Sequence, residues 1–209
     1  MTLDIPPVRV DPTAHHEPRL LGRLGAMLFC VLMCLLVTSI AAPGVAAIGL
    51  FRTLPTLGVE LPAYATYAEG DHAIMGRIAA GQALQPIFAT AMVTTVVLAF
   101  TALLAWIAAQ VGAATSFRRP SARVTNALLV LLCSLSLASV LSRGNLERTL
   151  DASLTSAREG NRAQADIHRE QFDGLHRTAE RLSQAQLAAA LAAMLAGAAA
   201  LLPRRSARS

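Results

Sequence analysis

Four stretches of the chain carry no ionised side chain: residues 24–51, 78–117, 124–142 and 182–203, of 28, 40, 19 and 22 residues. All are dominated by Leu, Ala, Val and Ile, with no regular alternation of polarity. An uncharged apolar run of about 18 or more residues has the length and polarity of a membrane-spanning helix. Strands of a transmembrane barrel would alternate in polarity over about ten residues. The pattern therefore predicts an all-α fold, an integral membrane four-helix bundle.

The spans are expected at about 24–48, 85–112, 124–142 and 182–202. The 40-residue window is too short for two spans of about 20 residues and a turn, so it holds one. Pro86 is read in the first turn of that helix, where its missing N–H leaves no bond unmade. Trp106 is expected near the other end as an interfacial anchor. The third window, bracketed by Arg123 and Arg143, is just long enough, at ~1.5 Å per residue, to cross ~30 Å of hydrocarbon. The fourth is rich in alanine, and Ala193 and Gly197 form a small-xxx-small pair suited to close helix approach. Val45-Ala46-Ala47 resembles a signal-peptide cleavage site, but the apolar stretch exceeds the usual 7–15-residue signal core, so the first helix is read as retained.

Outside the spans, residues 1–23 hold Pro6, Pro7, Pro12 and Pro18 without periodicity and are read as a disordered cytoplasmic tail. Residues 203–209 are a short basic tail. The segment 143–181 carries seven arginines and seven acids. Leu146, Leu150 and Leu154 recur every four residues, as do oppositely charged pairs such as Asp173 and Arg177. With Gly160-Asn161 as the break, this predicts an extramembrane helical hairpin between spans three and four, a flexible charged linker being the alternative. The membrane domain as a whole is 24–202.

Composition adds compartment and excludes function classes. Hydrophobic residues make up 54% of the 209 and charged residues 15%, against roughly 25% charged in soluble domains, which disfavours a soluble enzyme. The net charge of +5 comes from arginines at the ends of the apolar windows, with no basic patch interleaved by aromatics, so no nucleic-acid partner is expected. Arginines near the short loops orient a membrane protein. The two faces tie at nine each. The 2–3 loop, with Arg118, Arg119 and Arg123, is short and wholly basic, whereas several hairpin arginines lie far from the spans. Both termini are therefore expected in the cytoplasm and the hairpin outside. The arginine-only, alanine-rich composition suggests a bacterial inner membrane.

Candidate chemistry is sparse. There is no HExxH, GxSxG or phosphate-binding glycine loop, so no enzyme activity, catalytic residue or cofactor is expected. No ionisable acid or base lies deep in a span, where proton relays and ion paths would put one. Met27, Cys30 and Cys34 share a helical face, with Met33 beside them, and soft ligands of this kind suit Cu(I). Apolar packing explains the same residues, and the soft-metal site is the weaker alternative. A second candidate follows from topology. Up-down connection gathers Arg52, His72, Arg77, Arg143, Asn145 and His176, with Glu180, at the outer mouth, where the N-termini of spans two and four add positive potential. An anion or polar headgroup would suit that mouth, although interfacial side chains reaching toward water explain the same pattern.

Ala42-Pro43, followed by Leu50-Phe51-Arg52-Thr53-Leu54-Pro55, resembles the first span and following loop of small four-span membrane proteins of unknown function related to eukaryotic transmembrane protein 205. Phe172 with Leu175-His176, then Gln186-Leu187, is similar to that family's entry into its last span. Ala179 and Ser183 stand where the resemblance would put a serine and an asparagine. The resemblance implies four membrane helices and no known reaction. The resulting expectation is a non-enzymatic protein whose outer mouth and hairpin bind a lipid headgroup or another membrane or envelope protein. The alternative is a small-solute or soft-metal transporter.

Overall fold

The computed structural model describes residues 17–112 and 120–201. The extreme N-terminus, the connection at 113–119 and the C-terminal tail at 202–209 lie outside the described residues, and with them Arg9, Arg118, Arg119, Arg204, Arg205 and Arg208. The elements are α1 (Glu17–Thr53), single 3₁₀ turns at Leu54–Thr56 and Pro62–Tyr64, α2 (Ala65–Ala68), α3 (His72–Gly112), α4 (Pro120–Arg158) and α5 (Arg162–Leu201). Among the described residues the regular structure is entirely helical.

The long helices hold 37, 41, 39 and 40 residues. At ~1.5 Å per residue each is about 55–60 Å long, roughly twice the ~30 Å of bilayer hydrocarbon. All four are long and apolar enough to cross a membrane, and most of each apolar window is left unburied by the bundle. Val31, Leu35, Val97, Leu104, Leu141 and Leu195 are among the large apolar side chains that point outward. A soluble surface rarely holds a contiguous apolar patch beyond a few hundred Å². These helices define a multi-pass membrane protein.

Two helical hairpins make the bundle: α1 packs closely on α3, and α4 on α5, with thinner contact between the pairs. Glycine sets the closest approaches. A Cβ on Gly25 would stand 2.6 Å from the Ala109 amide nitrogen, so α1 and α3 touch there backbone to backbone. A Cβ on Gly197 would stand 2.5 Å from the Phe29 ring, and Ala193 is fully buried, so the small-residue face of α5 receives α1. The main core joins Phe29, Met33 and Leu36 of α1, Trp106 of α3, Leu129 and Leu132 of α4, and Ala189, Ala190 and Ala193 of α5.

Three expectations change. Residues 17–23 belong to α1 rather than to a disordered tail. Pro18 falls in the first helical turn, where proline is tolerated, and Leu20 and Leu21 continue the apolar run. Pro86 does not open the second span. It lies inside α3, which begins fourteen residues earlier at His72, behind an Asp71 carboxylate that accepts the amides of Ala73 at 2.7 Å and Ile74 at 3.3 Å. This cap starts the helix outside the apolar window. Trp106 is not an interfacial anchor. It is 1% exposed, its ring centroid is 4.8 Å from that of Phe29, and its indole N–H donates to Asn126 Oδ1 at 2.6 Å.

Asn126 also accepts from Gln110 Nε2 at 3.0 Å. Deeper in the band, the Ser39 and Thr95 hydroxyls lie 3.2 Å apart, and Gln186 Nε2 donates to the Ser136 hydroxyl at 3.3 Å. Polar groups that share hydrocarbon with lipid chains are paired across helices because water is not there to meet them.

Candidate functional site

The end of the bundle that joins α4 to α5 carries the polar chemistry. α4 stops in a left-handed Gly160, φ 72°. The Gly160 N–H donates to Ala157 O at 3.2 Å and the Asn161 N–H to Ser156 O at 2.9 Å. These two bonds close the last turn, and a residue with φ > 0 costs glycine little. The Asn161 side chain then accepts the Gln164 amide at 3.2 Å and starts α5. Gly160-Asn161 is thus the turn that the charge pattern places in the hairpin.

The hairpin does not stand alone. The first loop, 54–71, folds onto its tip. Tyr64 and Tyr67 are buried with Ala157 and Ala165, and Leu61, Ile74, Ile78 and Leu154 surround them. This second core is separate from that of the apolar band. Its polar edges are closed as well. The Tyr64 hydroxyl accepts from Arg158 Nε at 2.8 Å and from Gln82 Nε2 at 2.9 Å. The Arg158 guanidinium carbon lies 5.3 Å from the Tyr64 ring centroid, within cation–π range. The Tyr67 hydroxyl donates to Asp166 Oδ1 at 3.0 Å, and Arg162 pairs with Glu69 at 2.5 Å. At the loop's base the backbone of Leu54 and Pro55 presses on α3 at Gly76, where a Cβ would meet Pro55 Cα at 2.5 Å.

The residues expected at the outer mouth occupy this end of the bundle but do not converge. Among the described residues no hydrogen bond or ion pair joins any two of Arg52, His72, Arg77, Arg143, Asn145 and His176. Arg52, His72, Arg77 and Asn145 are exposed. His176 stacks on Phe172 one turn away, 5.4 Å between centroids, and lies 3.2 Å from Glu180. The N-termini of α3 and α5 are occupied by their own caps, Asp71 and Asn161, so their first-turn amides are partly committed. Arg143 differs from the rest. It pairs with Glu147 along α4 and borders an open groove of about 350 Å³ on α3, lined by Ala89, Thr90, Val93 and Thr94.

The soft-ligand stripe lies elsewhere. Met27, Cys30 and Cys34 are exposed on the outside of α1, while Met33 is turned into the core. Among the described residues no three His, Cys, Asp or Glu side chains lie together as a metal site would need.

Sequence reasoning missed the tyrosine lock. A signal was present. The only two tyrosines of the chain stand three residues apart in the first loop, where buried aromatic hydroxyls would need partners on another element. No protein-family model matches the chain, and no curated protein or solved structure is detectably similar to it.

Proposed function

We propose that this chain is a non-enzymatic protein of a bacterial inner membrane, both termini cytoplasmic, that presents a braced helical hairpin outside the membrane. There it binds a lipid headgroup or another membrane or envelope protein. The observation that carries this reading is the second core. A hairpin that served only to link two spans would need no buried Tyr64 and Tyr67 and no bonds from Arg158 and Asp166 to a separate loop. Ordering a loop of this length has a conformational cost of about 1–2 kcal/mol per residue, which a passive linker avoids. A recognition surface benefits from it, because a preordered surface loses less freedom on binding. Membership of the small four-span proteins related to transmembrane protein 205 would imply the same layout and no reaction.

The test is purification of the intact protein from native membranes in mild detergent, with bound lipids, proteins and metals identified together. A retained lipid or protein lost on Tyr64→Ala with Arg158→Ala, while the helical bundle persists, supports the reading. A fully folded wild-type sample that carries neither lipid nor protein refutes it.

A further inference from the structure

We propose that the groove between α3 and α4 is a binding site for a phospholipid with a primary-amine headgroup, held by Arg143 at its phosphate and by Glu147 at its ammonium. The proposal deepens the reading above, since it names a ligand for the outer mouth.

Arg143 is the first charge after the uncharged window 124–142, and Arg181 immediately precedes the window 182–203 on α5. The edge of the hydrocarbon on this half of the bundle therefore runs at the level of Arg143. The groove opens at that level, since Thr90 and Thr94 of α3 line it together with Arg143. It lies between the two hairpins, where the helices are packed less closely than within each pair.

The α3 side of the groove is lined by Ala89, Thr90, Val93 and Thr94. Thr90 donates to Pro86 O at 2.9 Å, so its proton is committed within its own helix. Arg143 follows, its side chain 29% exposed. Glu147 comes one helical turn further out, its side chain 48% exposed. From the hydrocarbon outward the order is a groove of interleaved apolar and hydroxyl side chains, then guanidinium, then carboxylate. A phospholipid with an ethanolamine-type headgroup has the same polar order, with chain and glycerol innermost, then phosphate, then ammonium. Guanidinium suits phosphate because its planar donors can bond two oxygens at once. Its Nε and one Nη are engaged by Glu147, and the remaining N–H groups are available.

The ion pair also sets selectivity. A single anion would meet Arg143 beside the Glu147 carboxylate, which opposes it. A quaternary ammonium cannot donate a hydrogen bond to that carboxylate. A primary ammonium can, so both charges of the pair are matched only by an amine headgroup. In the absence of a ligand, an exposed i, i+4 pair contributes only about 0.3–0.5 kcal/mol, and helix stability does not account for the placement.

The test uses the full chain in detergent micelles titrated with phosphatidylethanolamine, phosphatidylcholine and phosphatidylglycerol of identical acyl chains, with bound lipid read by native mass spectrometry. The wild type should bind the ethanolamine lipid about tenfold more tightly than either other lipid, the size of one added charge-assisted hydrogen bond. Glu147→Gln should abolish the preference over phosphatidylglycerol, and Arg143→Gln should weaken all three, with Arg143→Lys restoring part. Equal binding of the three lipids by the wild type, or unchanged ethanolamine-lipid binding by Arg143→Gln, overturns the proposal. If Arg143→Gln does not fold, Glu147→Gln decides alone: an unchanged preference overturns the site. Failure here leaves the capture of a protein partner at the tyrosine-braced tip untouched, because that readout depends on Tyr64 and Arg158.

Discussion

At the scale of single residues, the interior of the apolar band is governed by which polar atoms find partners. Asn126 Oδ1 accepts from both Trp106 and Gln110, so Asn126→Leu strands two donors among buried side chains. Leaving a buried donor unmet costs about 1–3 kcal/mol, and thermal unfolding in detergent should register a loss of that order. Gln110 behaves differently. It is 2% exposed, and its Oε1 has no partner among the described residues. Gln110→Leu removes one bond to Asn126 together with an orphaned acceptor, and Trp106 still satisfies Asn126. Interhelical bonds in membranes contribute about 0.6–2 kcal/mol, so the two effects nearly cancel and the variant should melt close to the wild type. A large loss in Gln110→Leu would mean that its carbonyl is bonded in the membrane. None of this was legible in the sequence. Trp106 reads as an interfacial anchor because its position along the helix is visible and its rotation toward Phe29 is not.

At the scale of elements, the charge-free windows report where hydrocarbon lies rather than where helices end. α3 begins at His72 and α4 runs on to Arg158, because helix limits are set by caps. Asp71 and the Gly160-Asn161 turn supply them. The second of these is visible in the sequence as a break in a periodic pattern, whereas Asp71 stands among Glu69, Gly70 and His72 with nothing to mark it. The hairpin itself follows from the leucine spacing and the i, i+4 charge pairs. Its brace does not, because Tyr64 and Arg158 are 94 residues apart and nothing local ties them together. The brace should act as one unit. Tyr64→Phe removes the acceptor shared by Arg158 and Gln82 while keeping the buried ring. Hydrogen exchange should quicken over 54–71 and 153–166, and stay unchanged over 95–110 and 124–136, which share no partner with it. Uniform quickening would show the tip and the membrane band to be a single cooperative unit.

At the scale of the whole molecule, the apolar band has unequal height. Gly197 meets Phe29 beside Thr125, so the starts of the α1 and α4 windows opposite the hairpin lie roughly level. On α4 the window is 19 residues, and on α1 it is 28. At ~1.5 Å per residue these are about 28 and 42 Å, which match the hydrocarbon core alone and the bilayer with its ~40–45 Å headgroup layers. The excess falls at the hairpin end, where Val45, Ile48 and Phe51 are exposed. That end therefore combines an exposed apolar face on α1 with the charged arms of α4 and α5. The same asymmetry bears on orientation. Arginines divide evenly between the two faces, so a plain count gives no direction. Those of the hairpin alternate with as many acids and extend along helices away from the bilayer. Arg162, for instance, is bound to Glu69 at the tip, more than 15 residues from either span. Arg143 and Arg181 do abut the spans, but the opposite face has Arg118, Arg119 and Arg123 together in one short connection without an acid. The charges closest to the spans carry the most weight in orientation, and the proposed topology, with the hairpin across the membrane, rests on the wholly basic connection between α3 and α4. Reporter fusions should show residue 160 outside and residue 118 in the cytoplasm. Changing Arg118 and Arg119 to alanine should reduce that bias, because it removes two of the three arginines on which the proposed orientation rests. A reporter at residue 160 that is active only in the cytoplasm would reverse the topology and put the tyrosine-braced tip, with Arg143 and Glu147, on the inner leaflet.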